Sequence, residues 1–212
     1  MSSFEIKAYP EMWQSLGMDV ERFDKMRLML GEIFTKSYLS QKNRPVAMAY
    51  FDNMVAEIHG GRIRELLDAK EQGKPVIGTF CVYIPEEIVL AAGGICVGLC
   101  GGSQGSVPDA EKILPRNICP MVKSAFGFKA GRICPYFQAV DFVYGETTCD
   151  AKKKTWEILD NMVPTYVMEI PQMKKESDRE MWLSEVKDFK AKMESLTGKE
   201  VMLSLIHISE PT

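Results

Sequence analysis

Six cysteines are the residues in this sequence whose type and surroundings point most directly to chemistry. They are Cys81, Cys96, Cys100, Cys119, Cys134 and Cys149. No CxxC pair occurs, which argues against a zinc ribbon or a thioredoxin-type redox motif. The first ten residues include Glu5 and Lys7 and lack the apolar stretch of a secretory signal, so we expect no disulfide framework. We predict reduced thiols in a cytoplasmic protein.

Four of the cysteines occupy positions that suit metal ligands. Cys81 ends a short apolar run, and Cys149 follows another beside a predicted helix start. Cys119 and Cys134 each precede a proline, which lacks a hydrogen-bond donor and fixes the backbone, as in some ferredoxins. At one sheet edge, helix N-termini and nearby basic side chains would stabilise such thiolates. Those basic side chains are Arg116, Lys123 and Arg132. Composition alone equally allows buried free cysteines, which are common small hydrophobes.

The remaining polar candidates have structural interpretations that we favour. Cys96 lies inside a predicted strand and is expected to be a core residue, whereas Cys100 is left open between the two roles. Glu86 and Glu87 suit either acid–base chemistry or the first turn of a helix, and the helix is favoured. His59 is expected to be structural and far from the cysteines. The glycine-rich stretch 101–106 matches no phosphate-binding motif and is expected to be a plain loop.

The elements that must position these residues alternate in type along the chain. Apolar periodicity predicts helices over 19–40 and 46–72, with a weak point at His59-Gly60-Gly61. Short apolar runs predict strands at 74–80, 95–99, 139–144 and 165–170, and helices are predicted at 85–92, 119–128, 150–162 and 177–196. This alternation predicts a three-layer α/β unit with a mostly parallel sheet, whose ligand sites lie beyond the carboxyl ends of the strands.

The domain plan that follows has three parts. We predict that residues 1–72 form an N-terminal helical segment, and that residues 73–202 form an α/β domain that binds the metal cofactor expected at its cysteines. The last ten residues, LSLIHISEPT, resemble the translation of a transposase sequencing adapter, so we expect 203–212, including His207, to be foreign. The alternative is a native strand-like tail.

Global composition excludes some partners. The net charge is −3, and the longest basic run, Lys152-Lys153-Lys154, is expected to be a solvated helix face, so we predict no nucleic-acid partner. No stretch of about 20 apolar residues exists, so no membrane partner is expected. The 212 residues suffice for one core of α/β size.

Several ungapped runs resemble one enzyme superfamily. They are GTFCVYIPEEIVLAAGG, LPRNICPMVKSAFGF, ICPYF and GETTCDAKKKTWEIL, all within residues 78–162. They are similar to the 2-hydroxyacyl-CoA dehydratase and benzoyl-CoA reductase superfamily, and most closely to its double-cubane-cluster anaerobic reductases. The resemblance covers an N-terminal half, since family chains run to roughly twice this length.

The resemblance implies an iron–sulfur cofactor, either a [4Fe–4S] cluster or a linked double cubane. It implies that Cys81 and Cys119 bind iron, and that Cys134 and Cys149 are the extra ligands of the double-cubane branch. It also implies further ligands from a second domain, a homodimeric or heterodimeric assembly, and electrons from an ATP-hydrolysing iron–sulfur activator protein. With the second domain missing, we expect the fragment to be inactive.

Three functions follow as hypotheses. The first is a double-cubane-dependent anaerobic reductase that receives low-potential electrons from the activator. The alternative within the superfamily is a subunit of a 2-hydroxyacyl-CoA dehydratase. The alternative of another class is a non-catalytic iron–sulfur or metal-binding module. The substrate and the catalytic residues are left unassigned.

Overall fold

The protein is described from a computed structural model that covers residues 7–202. Residues 1–6 and the suspected foreign tail 203–212, with His207, lie outside the described residues. Within the part that is described, no helix is both long enough and apolar enough to cross a membrane.

A sheet of four parallel strands forms the centre of the described chain, in the order β2-β1-β3-β4. The strands are β1 (Val76–Thr79), β2 (Ile95–Gly98), β3 (Phe142–Glu146) and β4 (Thr165–Met168). Every residue of the two central strands is buried, which is why both read as continuous apolar runs rather than as alternating ones. The predicted parallel α/β class is confirmed.

Ten α-helices surround this sheet in the described residues. They are α1 (Pro10–Ser15), α2 (Val20–Phe34), α3 (Ala49–Glu57), α4 (Gly61–Glu71), α5 (Glu86–Ala91), α6 (Val107–Ala110), α7 (Pro120–Ala130), α8 (Pro135–Ala139), α9 (Asp150–Leu159) and α10 (Glu176–Thr197). A π-helical turn, Thr35–Leu39, continues α2, and 3-10 turns occur at Val46–Met48 and Gln104–Ser106.

Helices cover both faces of the sheet, so the domain has three layers. On one face α4, α7, α8 and α9 bury a cluster that includes Phe126, Val143 and Trp156. On the other face α5 and α10 bury a second cluster that includes Tyr144 and Phe189. Val143 and Tyr144 enter opposite clusters because successive side chains of a strand point to opposite faces.

The N-terminal helices form a small satellite core. Trp13 packs edge-to-face on Phe23 with ring centroids 4.8 Å apart, and both rings are fully buried. The carboxylate of Asp19 accepts a hydrogen bond from the backbone N–H of Arg22, so Asp19 is the N-cap of α2. The guanidinium of Arg22 then binds Asp109 at 2.7 Å and so ties this segment to the α/β domain.

Two local differences from the sequence prediction have one cause. The strand expected at 139–144 begins only at Phe142, because the preceding Pro135–Ala139 form α8. The glycine-rich stretch 101–106 was expected to be a plain loop, yet residues Gln104–Ser106 form a 3-10 turn, and the unpredicted helix α6 follows at Val107–Ala110. Both missed helices have five residues or fewer, too short for a helical period to be recognised.

Candidate functional site

Three cysteines follow the carboxyl ends of three neighbouring strands. Cys81 comes two residues after β1, Cys100 two residues after β2, and Cys149 three residues after β3. Because all the strands are parallel, these ends meet along one edge of the sheet. Ligand sites in folds of this kind lie outside that edge.

Three of the four predicted ligands are N-cap residues of helices. Cys119 caps α7, Cys134 caps α8 and Cys149 caps α9. For the first two, the Cys-Pro dipeptide dictates the geometry, because proline is favoured at the first helical position and disfavours the α conformation in the residue before it. Cys119 accordingly has ψ 129° and Cys134 has ψ 114°. Each thiol therefore stands at the positive end of a helix.

A small apolar pocket of about 300 Å³ lies at this edge of the sheet. Phe80, which precedes Cys81, forms one wall and stacks on Trp156 with centroids 5.1 Å apart. The first turn of α7, just after Cys119, forms another wall through Met121. The pocket is therefore lined by residues close in sequence to Cys81 and Cys119, and by Lys152, which lies one helical turn after Cys149.

Lys152 is the charged side chain that lines this pocket. Its ammonium forms an ion pair with Glu146, the last residue of β3, whose side chain is fully buried. The second carboxylate oxygen of Glu146 and the hydroxyl of Thr155 are buried without a described hydrogen-bond partner. The expectation that all of 152–154 is a solvated face is therefore wrong for Lys152, because a buried carboxylate draws its ammonium inward.

Basic side chains expected near the thiols are engaged elsewhere. The ammonium of the buried Lys123 lies 2.7 Å from Glu111 and 2.8 Å from the carbonyl oxygen of Arg116. The Arg116 side chain is itself 89% exposed and sits 3.7 Å from Glu111. The pocket's positive charge therefore comes from Lys152, which the sequence signalled only by its place in the turn after Cys149.

Cys134 is in contact with Cys100, whose chain neighbours Leu99 and Gly101 line that pocket. The two sulfur atoms are 3.2 Å apart, and Cys134 donates its S–H to Cys100. Burial raises the pKa of the Cys134 thiol well above its usual range, whereas the hydrogen bond from Cys134 lowers the pKa of the Cys100 thiol. Sequence reasoning left Cys100 open, since 34 residues separate the two positions.

The structural interpretations of Cys96 and of the two glutamates Glu86 and Glu87 agree with the structure. Cys96 lies within β2, and burial, followed by the charges of Glu86 and Glu87, raises its pKa to about 12. Both glutamates occupy the first turn of α5, as expected of a helix start. The glycine-rich stretch packs on α7, where the N–H of Gly102 donates to the hydroxyl of Ser124 at 2.7 Å.

His59 differs in position from its prediction. It lies in the turn between α3 and α4, and its ring packs against Phe23 and Tyr136. It lines the same groove as Cys96 and Cys100, so the expectation that it is remote from the cysteines is wrong. Its surroundings are nonetheless those of a packed side chain, and burial lowers its pKa to about 4.

The predicted ligands do not form a closed metal site by themselves. Across residues 7–202, no three histidine, cysteine, aspartate or glutamate side chains approach closely enough to hold one metal ion. The donor chemistry nevertheless fits an iron–sulfur cluster, which takes thiolates and is larger than a single ion. Cys119 and Cys149 are exposed and Cys81 is partly exposed, so all three can be reached by a cofactor.

Comparison with known proteins identifies the family of this chain. The family model for the 2-hydroxyglutaryl-CoA dehydratase D-component matches residues 81–204, beginning at the first candidate ligand. The chain belongs to this dehydratase family. It is 42% identical over 137 residues to a putative dehydratase subunit, YjiM, of Escherichia coli K12. The aligned region covers 64% of this chain and 36% of that protein.

A second relative also carries a dehydratase name. The chain is 26% identical over 132 residues to the lactoyl-CoA dehydratase subunit beta of Anaerotignum propionicum, which covers 62% of this chain and 34% of the relative. The chain thus spans about a third of the length of the curated relatives it matches. The resemblance drawn from the cysteine-containing runs is confirmed at the level of the superfamily.

Proposed function

We propose that this chain is the N-terminal part of a subunit of a 2-hydroxyacyl-CoA dehydratase, and that the carboxyl edge of its sheet contributes ligands to an iron–sulfur cluster. The observation that carries the proposal is that Cys81 and Cys149 follow the carboxyl ends of β1 and β3, while Cys119 caps α7, whose first turn lines an apolar pocket at that edge. The relatives bear dehydratase names, which favours this alternative over the double-cubane reductase that the sequence put first.

The thiols are suited to the role by position. Cys119 and Cys149 each cap a helix, and the unpaired N–H groups of a helix N-terminus favour an anionic sulfur. Cys81 stands on the loop after a fully buried strand, so its backbone is held by the sheet. Because these three do not form a closed set, we propose that the part of the subunit beyond this chain completes the ligands.

The residues of this chain that line the pocket have two roles in the proposal. Its apolar walls, including Phe80 and Trp156, exclude water from the side of the site that they form. Lys152 places one positive charge at the pocket, and the buried Glu146 holds that charge in position. When bound, an iron–sulfur cluster supplies one-electron transfer, which none of these side chains provides.

The partners of the enzyme follow from the same proposal. A low-potential cluster needs an electron donor, and we propose the ATP-hydrolysing iron–sulfur activator protein that the resemblance implies. A dimeric assembly is proposed with it. Since the chain spans about a third of its relatives, we expect no turnover of a 2-hydroxyacyl-CoA by this chain alone, even with activator and reductant.

Anaerobic reconstitution tests the ligand set. The complete subunit, which supplies the remaining ligands, is incubated with iron and sulfide, and iron, acid-labile sulfide and the visible charge-transfer absorbance are measured per subunit. We expect Cys81→Ser, Cys119→Ser and Cys149→Ser each to lower the iron content markedly, because each removes a thiolate. Cys96→Ser is the matched control and should keep the wild-type value, since Cys96 lies within β2.

The same measurement separates the alternatives. Equal iron in the three ligand variants and the control would contradict the proposed site. The prediction that Cys134 is a fourth ligand is tested by Cys134→Ser, with circular dichroism to check folding. If the complete subunit binds iron at these thiols yet turns over no 2-hydroxyacyl-CoA with its activator, the non-catalytic module or the reductase replaces the dehydratase.

A further inference from the structure

The three thiols on which the cluster proposal rests do not include Cys100 or Cys134, although Cys134 remains a predicted fourth ligand. The sulfur atoms of these two cysteines lie 3.2 Å apart, although one residue follows β2 and the other caps α8. A disulfide has an S–S bond of about 2.05 Å, so closing the pair requires a movement of about 1 Å. Across the described residues, this is the thiol pair whose sulfurs are in contact.

Rigid elements hold the two sulfurs in place. The backbone N–H of Leu99, next to Cys100, donates to Thr79 of β1 at 2.8 Å, which fixes the end of β2. Helix α8 packs against α4, α7 and β1. The contact is therefore built by the fold rather than by two mobile side chains.

The two thiols differ in their access to solvent. Cys134 is only 1% exposed and belongs to the core beside Phe137. Cys100 is partly exposed and lines an open groove of about 430 Å³ between β2 and α4. A small oxidant can therefore reach Cys100 but not Cys134. Cys100 therefore has the access that an attacking thiol needs, and Cys134 is placed as the resolving thiol.

We propose that Cys100 and Cys134 are a redox-active dithiol, a modification site that a peroxide converts to an intrachain disulfide. The Cys100 thiolate attacks one peroxide oxygen, which breaks the O–O bond, releases hydroxide and leaves a sulfenic acid on Cys100. The Cys134 sulfur, losing its proton, then attacks the Cys100 sulfur and expels the second oxygen as hydroxide, which the released protons convert to water. Two thiols and one hydrogen peroxide give one disulfide and two waters.

Peptide mapping of the oxidised chain tests the proposal. The reduced, metal-free 212-residue chain is treated anaerobically with one equivalent of hydrogen peroxide, free thiols are blocked with N-ethylmaleimide, and proteolytic peptides are identified by mass spectrometry. We expect two fewer blocked thiols than the six of the reduced chain, and a cross-linked peptide pair that joins Cys100 to Cys134. This pair should dominate over every other cysteine combination.

Variants separate the two roles. Cys134→Ala should stop the reaction at the sulfenic acid of Cys100, trapped by dimedone, whereas Cys100→Ala should leave Cys134 unmodified because it is buried. Cys96→Ala is the matched control, since Cys96 lines the same groove without a described sulfur contact, and should still form the disulfide. Circular dichroism checks that each variant folds.

Two results would overturn the proposal. One is a wild-type peptide map in which Cys100 and Cys134 remain blocked as free thiols after peroxide treatment. The other is a map in which exposed Cys119 or Cys149 pairs as readily as Cys134 does. Both are read from the wild-type chain, so a variant that fails to fold does not obscure them. The absence of iron throughout keeps the outcome independent of the proposed cluster.

Discussion

His59 should make the stability of the protein depend on pH below neutrality. Its ring packs edge-on to Phe23 with centroids 5.2 Å apart, and its Nδ1 atom is buried without a described partner. Burial, followed by the positive charge of Arg27, lowers the pKa from 6.5 to about 4. Arg62 and Glu65 line the groove beside it, so one charge of each sign faces the ring from α4.

The sign and the size of this pH dependence of stability follow from proton linkage. Between pH 6.5 and pH 4 the unfolded chain binds a proton at His59 more tightly than the folded chain does, so stability present above pH 6.5 is lost as the pH falls. With these two pKa values, the loss between about pH 7 and about pH 5 is about 2 kcal/mol. The ring is partly open to the groove, which lowers the expected value to about 1–2 kcal/mol.

Urea unfolding of the wild type and of His59→Phe measures this loss. Phenylalanine keeps a ring between Phe23 and Tyr136 and removes the titrating nitrogens, while every other titrating group is common to both proteins. We expect the wild type to lose about 1–2 kcal/mol more than the variant between about pH 7 and about pH 5. An equal loss in both proteins would refute the reasoning that burial depresses the pKa of this ring.

Two substitutions test the packing around the candidate site. Lys152→Met should lower the free energy of unfolding by about 3 kcal/mol because it leaves the buried carboxylate of Glu146 unpaired; the control Lys154→Met, on an exposed ion pair, should cost less than about 1 kcal/mol. An equal effect of the two in urea unfolding would contradict a buried pair. Gly127→Ala should destabilise by about 1–3 kcal/mol because its Cβ would lie 1.9 Å from the carbonyl oxygen of Ser106, and an unchanged unfolding midpoint would contradict that contact.

Local chemistry in the sequence was sufficient to predict the class of fold and the starts of several helices, among them α5, α7 and α9. Short apolar runs separated by helical periods predicted a parallel sheet, because strands covered on both faces need apolar side chains throughout. The Cys-Pro dipeptides predicted where Cys119 stands at a helix start, since proline restricts itself and the residue before it. These constraints act within a few residues and can therefore be recognised from a single sequence.

Only the tertiary structure decided which cysteines are neighbours. Cys134 was grouped with Cys81, Cys119 and Cys149 because of its Cys-Pro motif and the resemblance to the double-cubane branch. The structure adds that its sulfur lies against Cys100, which the sequence left open. The motif specifies the backbone at Cys134 but not where α8 packs. That packing is set by contacts of α8 with α4, α7 and β1, elements distant along the chain.

The charge at the pocket was decided in the same way. Lys152, Lys153 and Lys154 are identical side chains in one run, and the sequence alone gives no reason to separate them. Glu146 is buried at the end of β3, and α9 begins at Asp150, shortly after it along the chain. Of the three lysines, Lys152 is therefore the one whose ammonium forms an ion pair with Glu146 at the pocket. A buried carboxylate must find a counter-charge, and which lysine supplies it depends on the helix position that tertiary packing imposes.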